Sequence, residues 1–123
     1  MSLRIIIVDD LRFMRTIIHD VLESSGFIVA GEAENGIEGV ALFEKVKPDL
    51  VLLDITMPKM DGITALKEIR KRDPQANVIM CSALGQQKYI IKAIQLGARD
   101  FIVKPFNPER ILSAINKVVL SGL

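Results

Sequence analysis

Polar side chains that could do chemistry follow directly on four of the short apolar runs in this 123-residue chain. They comprise carboxylates, one hydroxyl and one ammonium: Asp9, Asp10, Asp54, Ser82 and Lys104. Carboxylates bind hard cations and can attack phosphorus, whereas an ammonium and a hydroxyl can stabilise phosphoryl oxygens. If these side chains meet in the fold, they are suited to magnesium-assisted transfer of a phosphoryl group.

The elements that would bring these residues together are five apolar runs rich in β-branched residues, which predict buried parallel strands. The runs are 5–8, 27–30, 50–53, 78–81 and 101–103. The segments between them have apolar residues at helical spacing and room for one crossover helix each. Right-handed crossovers place such helices on both faces of the sheet. The sequence therefore predicts a single α/β domain over residues 1–123, a doubly wound, flavodoxin-like five-stranded parallel sheet of strand order 2-1-3-4-5 with five helices.

Residues typical of helix ends support these boundaries. Gly26 suits the position just past the first helix, where a left-handed backbone is common. Asn35 and Glu38 have the spacing of a capping box, which predicts a helix start. Asn107 followed by Pro108 predicts the start of the last helix in the same way.

The carboxyl ends of parallel strands lie at one edge of the sheet, where open α/β proteins bind their ligands. Two unit charges about 5 Å apart there repel by roughly 3 kcal/mol at an effective dielectric constant near 20, so clustered carboxylates favour a cation. The chain has one His and one Cys, too few for a zinc cluster, whereas Mg²⁺ prefers oxygen ligands. The sequence thus predicts a Mg²⁺ site with Asp54 as the nucleophile. Lys104, Ser82 and nearby backbone N–H groups would bind the phosphoryl oxygens.

The composition excludes several other classes of function. Sixteen basic and fifteen acidic residues leave a formal charge of +1, which gives no patch for nucleic acid or an anionic membrane. No apolar run approaches the roughly 18 residues that span a bilayer, and no signal peptide is visible. A single cysteine forms no internal disulfide, which is typical of the cytoplasm. We therefore expect a cytoplasmic protein that binds neither nucleic acid nor membrane.

In their order and spacing, these residues resemble the receiver domains of two-component response regulators, essentially from end to end. The motifs are Val8-Asp9-Asp10, Asp54-Ile55-Thr56-Met57-Pro58 with Asp61-Gly62, Ser82-Ala83, and Lys104-Pro105-Phe106. Within the family, stretches 10–15 and 81–87 are most similar to the stand-alone, CheY-type chemotaxis regulators. The lack of an effector domain after Leu120 agrees with that expectation.

The resemblance implies a role for each residue of the metal site. Asp10 and Asp54 would bind Mg²⁺ directly, Thr56 would add its backbone carbonyl, and Asp9 would act mainly through a metal-bound water. Lys104 would pair with the phosphoryl group, and in this family the bond between it and the following proline is typically cis.

The resemblance also implies a switch formed by Ser82, Ala83 and Phe101. Ser82 would move toward the phosphoryl group, the loop that begins at Ala83 would close, and Phe101 would turn inward. Phe101 stands where tyrosine is common, so ring packing is kept without a phenol hydroxyl. Thr56 and Leu84 would tune the rate of hydrolysis.

The partners that the resemblance implies are signalling proteins. A CheA-like sensor histidine kinase would donate the phosphoryl group. The fourth helix, fifth strand and fifth helix would bind a flagellar motor-switch protein or another output partner, and a phosphatase is a further candidate partner. We expect a monomer that phosphorylates itself from its donor and slowly loses the phosphoryl group, not a multiple-turnover enzyme.

Two alternatives remain open from the sequence. One is a phosphatase of the haloacid-dehalogenase type, which also uses an Asp after a strand but usually needs a second acid two residues later, where this chain has Thr56. The other is a receiver domain that belongs to a longer regulator, such as a transcription factor.

Overall fold

Strands and helices alternate along the chain in a computed structural model, which describes residues 2–83 and 85–121. Within those residues the elements are β1 Arg4–Val8, α1 Arg12–Ser24, β2 Ile28–Ala33, α2 Gly36–Val46, β3 Leu50–Asp54, α3 Gly62–Arg72, β4 Val78–Ser82, α4 Gln87–Gln95, β5 Asp100–Val103 and α5 Pro108–Leu120. This order confirms the predicted alternation. None of these helices combines the length and apolar character that crossing a bilayer requires.

The strands form one parallel sheet in the order β2-β1-β3-β4-β5. This confirms the predicted fold class and strand order. β1 and β3 are neighbours near the centre of the sheet, and β2 lies at its edge. The carboxyl ends of β1, β3, β4 and β5 are therefore adjacent, as the predicted site requires.

Helices cover both faces of the sheet. Alternate strand residues such as Ile6, Leu53 and Met80 pack toward α2, α3 and α4. The intervening residues, such as Ile7 and Ile79, pack toward α1 and α5. Each fully buried aliphatic side chain stabilises the fold by about 2 kcal/mol, so the strands that carry the predicted site residues are held firmly by the core.

The second strand differs from its predicted range of 27–30, since β2 runs from Ile28 to Ala33. It pairs with β1 as far as Val8↔Ala33, and the register shifts between Ile5 and Ile6. An edge strand is partly exposed, so its apolar run is shorter than the strand itself. Backbone pairing with β1, and not hydrophobicity, decides where β2 ends.

The predicted helix ends are confirmed. Asn35 accepts a hydrogen bond from the backbone N–H of Glu38 at 2.9 Å, and its side-chain amide donates to the Glu38 carboxylate. Asn107 accepts from the N–H three residues later at 2.9 Å, with Pro108 as the first residue of α5. Gly26 has a φ of +87°, as its predicted position requires.

Candidate metal and phosphoryl-acceptor site

Three carboxylates meet at the ends of β1 and β3. The two strands are neighbours in register, with Val8 opposite Leu53, so the residues that follow them are brought together. Asp9, Asp10 and Asp54 each offer one carboxylate oxygen, and these oxygens all lie within 4.8 Å of one another. Asp9 and Asp54 are buried whereas Asp10 is exposed, so the cluster has one open side.

The ammonium of Lys104 joins this cluster from the end of β5. It lies 2.8 Å from Asp9 Oδ2 and 3.4 Å from Asp54 Oδ2. The backbone N–H of Lys104 donates to the carbonyl of Ser82 at 2.7 Å, and the bond to Pro105 is cis. The ammonium of Lys104 thus lies beside Asp54, the predicted nucleophile, although its shortest ion pair is with Asp9.

Burial and mutual repulsion shift the ionisation of this cluster. Desolvation and the charge of Asp9 raise the pKa of Asp54 to about 7, and Lys104 only partly opposes them. Burial lowers the pKa of Lys104, but its hydrogen bond to Asp9 and the charge of Asp54 outweigh that effect and raise it. Lys104 is therefore charged at neutral pH, while Asp54 is poised between its two forms. A cation among the carboxylates would favour the ionised form.

Ser82 ends β4, and its side chain is fully buried. Within residues 2–83 and 85–121, its hydroxyl has no hydrogen-bond partner. Leaving a buried polar group unpaired costs about 1–3 kcal/mol. β4 pairs with β3 so that Cys81 lies opposite Asp54, which sets Ser82 just beyond the carboxylates. An oxygen bound there would supply the missing acceptor.

Thr56 and Ala83, both exposed, lie on the loops that follow β3 and β4. The side chain of Gln86 links them, because its Oε1 accepts from the Ala83 N–H at 2.7 Å and its Nε2 donates to Thr56 Oγ1. Stretch 81–87 contributed to the resemblance, but nothing in the sequence assigned a role to Gln86 itself, since glutamine is common near helix starts. Leu84 lies outside the described residues.

Phe101, the predicted aromatic switch residue, is partly buried in β5 and packs against the core on the side of α4. Its backbone carbonyl accepts from Arg110 Nη2 at 2.7 Å. The inward turn of its ring stays a prediction.

Arg15 is a residue near the site that sequence reasoning missed. Its Nη1 donates to the backbone carbonyl of Asp9 at 2.6 Å, and its Nε lies 3.4 Å from a carboxylate oxygen of Glu32. β2 lies at the edge of the sheet, next to β1. It reaches the site indirectly, because Glu32 orients the guanidinium that contacts Asp9. An arginine within an amphipathic helix gives no sequence signal for such a contact.

Gly62 allows α3 to approach the end of β3 closely. A Cβ at this position would overlap the carbonyl oxygen of Asp54. The Gly62 N–H donates to the carbonyl of Ile55 at 2.7 Å, and Asp61 caps the helix by accepting from the Thr64 N–H at 2.9 Å. The Asp61-Gly62 motif thus fixes the backbone around Asp54.

Comparison with known proteins identifies relatives over nearly the whole chain. Residues 5–116 match the family model of the response regulator receiver domain. The chemotaxis protein CheY of Bacillus subtilis (strain 168) is 60% identical over 119 residues, which cover 97% of this chain and 99% of that protein. CheY of Thermotoga maritima is 55% identical over 118 residues, which cover 96% and 98% of the two chains.

Solved structures agree with these sequence matches. The crystal structure of the CheX-CheY-BeF3-Mg²⁺ complex from Borrelia burgdorferi aligns with a TM-score of 0.92 and 39% identity, over 95% of this chain and 89% of that chain. The response regulator domain of Thermotoga maritima CheB aligns with a TM-score of 0.88 and 36% identity, over 95% and 96%. These matches favour a receiver over the phosphatase considered from the sequence. The chain belongs to the family of response regulator receiver domains and is closely related to the CheY chemotaxis regulators.

Proposed function

We propose that this chain is a phosphorylation-activated switch of a chemotaxis pathway, in which Asp54 accepts a phosphoryl group in a Mg²⁺-dependent reaction. The observation that carries the proposal is the convergence at one edge of the sheet of three carboxylates, the Lys104 ammonium and the Ser82 hydroxyl, which has no partner in the described part of the chain. Each group matches one need of phosphoryl transfer: a nucleophile, a metal site and donors for the phosphoryl oxygens.

The residues present fit Mg²⁺. Asp9, Asp10 and Asp54 offer a cluster of oxygen ligands, and the exposure of Asp10 leaves room for the waters that Mg²⁺ retains. Burial raises the pKa of the nearby Cys81 thiol to about 12, so it stays protonated and is a poor metal ligand. We propose that Asp10, Asp54 and the backbone carbonyl of Thr56 bind the ion directly, with Asp9 in the outer sphere. When bound, Mg²⁺ neutralises the carboxylates and one phosphoryl oxygen.

The residues of the site divide the rest of the reaction between them. A carboxylate oxygen of Asp54 attacks the phosphorus of a phosphohistidine on a sensor kinase, forming a P–O bond as the P–N bond breaks. The departing imidazole takes up a proton, and Asp54 becomes an acyl phosphate. Lys104 neutralises a second phosphoryl oxygen, while the Ser82 hydroxyl and the Ala83 N–H donate to a third.

The output surface that we propose consists of α4, β5 and α5. Ile91 on α4 is 64% exposed and Ile94 is 46% exposed, which gives this helix an apolar outer face. Phe101 connects the surface to the site, because it lies on β5 three residues before Lys104. We propose that a flagellar motor-switch protein binds here and that a CheA-like kinase is the donor, with the protein acting as a cytoplasmic monomer.

A phosphatase is a further partner in this proposal. The Borrelia relative forms a complex with a second protein, CheX, in the presence of BeF3 and Mg²⁺. This supports a protein partner for the phosphorylated form of the present chain.

The test is intact-mass spectrometry after incubation with acetyl phosphate, with and without Mg²⁺. We expect the mass of one phosphoryl group to be added only with Mg²⁺, and none in the Asp54→Asn variant. Asp20→Asn, a surface change on α1, is the matched control and should be labelled like the unmodified protein. Undiminished labelling of Asp54→Asn would refute the assignment, and sustained turnover of phosphate esters would favour a phosphatase.

A further inference from the structure

The side chain of Gln86 does not serve the helix that it precedes. It occupies the N-cap position of α4, yet it makes no capping hydrogen bond to that helix. Instead its Oε1 accepts from the Ala83 N–H at 2.7 Å, and its Nε2 donates to Thr56 Oγ1. We call this pair of hydrogen bonds the Gln86 bridge. It joins the loop after β3, which follows Asp54, to the loop after β4.

The Ala83 N–H is one of the donors that the proposed function assigns to a phosphoryl oxygen. It follows Ser82, whose hydroxyl is buried and lacks a partner among the described residues. A backbone N–H held at 2.7 Å by a side-chain carbonyl cannot make a second bond of the same strength. One donor of the proposed phosphoryl site is thus already engaged, while no described residue accepts from the neighbouring hydroxyl.

We propose that Gln86 is a positioning residue that competes with a phosphoryl oxygen for the Ala83 N–H, so that phosphoryl capture opens the Gln86 bridge. This inference rests on the proposed function. A phosphoryl oxygen is the stronger acceptor because it is charged, so it displaces the neutral carboxamide. The same exchange releases Thr56 Oγ1, which couples the two loops to the state of Asp54.

The released side chain has a place to go. A groove of about 480 Å³ lies between α3 and α4, and Gln86 is part of its wall. Asp61, Thr64 and Lys92 also line it and offer polar partners to a carboxamide. Because the bridge can open without leaving Gln86 unpaired, its opposition to phosphoryl binding is modest. The net strength of one hydrogen bond corresponds to a factor of about two to ten.

Two substitutions at position 86 should have opposite effects. Gln86→Ala removes the bridge, and we expect the affinity for beryllofluoride with Mg²⁺ to rise about fivefold. Gln86→Glu keeps an acceptor for the Ala83 N–H and makes it charged, so the affinity should fall below that of the unmodified protein. If Gln86 had a merely structural role, the beryllofluoride affinity of both variants would change in the same direction. Gln87→Ala and Gln87→Glu, at the exposed next residue, are the controls for helix start and for added charge.

A second measurement needs no ligand. Amide hydrogen exchange of Ala83, followed by NMR on the free protein, should quicken about tenfold in Gln86→Ala and stay unchanged in Gln87→Ala. Unchanged exchange in Gln86→Ala would show that the bridge does not form in solution. Faster exchange with unaltered beryllofluoride affinity would overturn the competition. A third outcome is that the unmodified protein binds no beryllofluoride, while Ala83 exchange still quickens in Gln86→Ala. The proposed function and the competition would then both be refuted, but the Gln86 bridge would be confirmed.

Discussion

Lys104 forms its shortest ion pair with Asp9, and not with the predicted nucleophile. Its Nζ lies 2.8 Å from Asp9 Oδ2 and 3.4 Å from Asp54 Oδ2. In the absence of a cation, the ammonium offsets the charge of both buried carboxylates. If a metal ion binds as proposed, the ammonium would compete with it for Asp9, and phosphorylation of Asp54 would draw the ammonium toward the phosphoryl group.

Replacing Lys104 should separate metal binding from phosphoryl transfer. In Lys104→Met the carboxylates lose their competing cation, so we expect Mg²⁺ affinity to rise about fivefold. Labelling by acetyl phosphate should slow at least about tenfold, because one phosphoryl oxygen loses its counter-charge. Calorimetric titration and mass spectrometry measure the two effects. Lys67→Met, on the exposed side of α3, is the control, and a weaker Mg²⁺ affinity in Lys104→Met would contradict the competition.

The raised pKa of Asp54 makes the metal-free protein less stable at high pH. Its folded-state pKa of about 7 lies above the ordinary value of 3.8, so folding opposes its ionisation. The penalty is absent below about pH 4, grows as the pH rises to 7, and is complete above that. With a chelator present, we expect Asp54→Asn to raise the free energy of unfolding by about 2–4 kcal/mol at pH 8 and to change it little near pH 4.

Urea unfolding at a series of pH values measures this difference. Asp20→Asn should show no such dependence, because its carboxylate is exposed. A stabilisation of Asp54→Asn that was equal at pH 4 and pH 8 would mean that the charge of Asp54 is not its source.

Arg15 should influence metal binding through the backbone of Asp9. Arg15→Lys keeps the positive charge but loses the planar fork that contacts Asp9 and Glu32 together. We expect Mg²⁺ affinity to fall about threefold or more, as the turn between β1 and α1 becomes less well held. Arg12→Lys, at the exposed start of the same helix, should bind Mg²⁺ normally. Equal affinities for the two variants would leave Arg15 without a positioning role.

Gly62 should tolerate no side chain. In Gly62→Ala the new Cβ would overlap the Asp54 carbonyl oxygen, so α3 or the end of β3 must move. We expect a loss of about 2–3 kcal/mol of unfolding free energy together with weaker Mg²⁺ binding. Gly26→Ala is the matched comparison, because Gly26 has a φ of +87° but, apart from its chain neighbours, no described residue has an atom within 4 Å of the added Cβ. Gly26→Ala should lose only about 1 kcal/mol of unfolding free energy and bind Mg²⁺ normally. Similar losses of unfolding free energy in both variants would argue against a close approach of α3 to the end of β3.

The sequence predicted what depends on local pattern and on parallel topology. The buried apolar runs predicted β1, β3, β4 and β5. The polar residues that follow these strands lie close together because the carboxyl ends of parallel strands share one edge of the sheet. The predicted end of β2 was wrong, because backbone pairing with β1 continues this edge strand after its apolar residues stop.

Contacts between distant side chains and backbone groups were not predictable. Gln86 reaches Thr56 across thirty residues of sequence, and Arg15 reaches Glu32 from another element. Both residues lie in stretches that carry the family resemblance, but neither residue type nor spacing predicts these particular contacts. The preference of Lys104 for Asp9 over Asp54 likewise depends on a difference between two short distances, which only the folded structure defines.

The identity of the acceptor is the central claim, and reductive trapping tests it most directly. Borohydride reduces an aspartyl phosphate to homoserine, so the protein is treated with acetyl phosphate and Mg²⁺, reduced, digested and sequenced by tandem mass spectrometry. We predict homoserine at position 54, and only in samples that contained Mg²⁺. Homoserine at position 9 or 10, with an unaltered Asp54, would contradict the account.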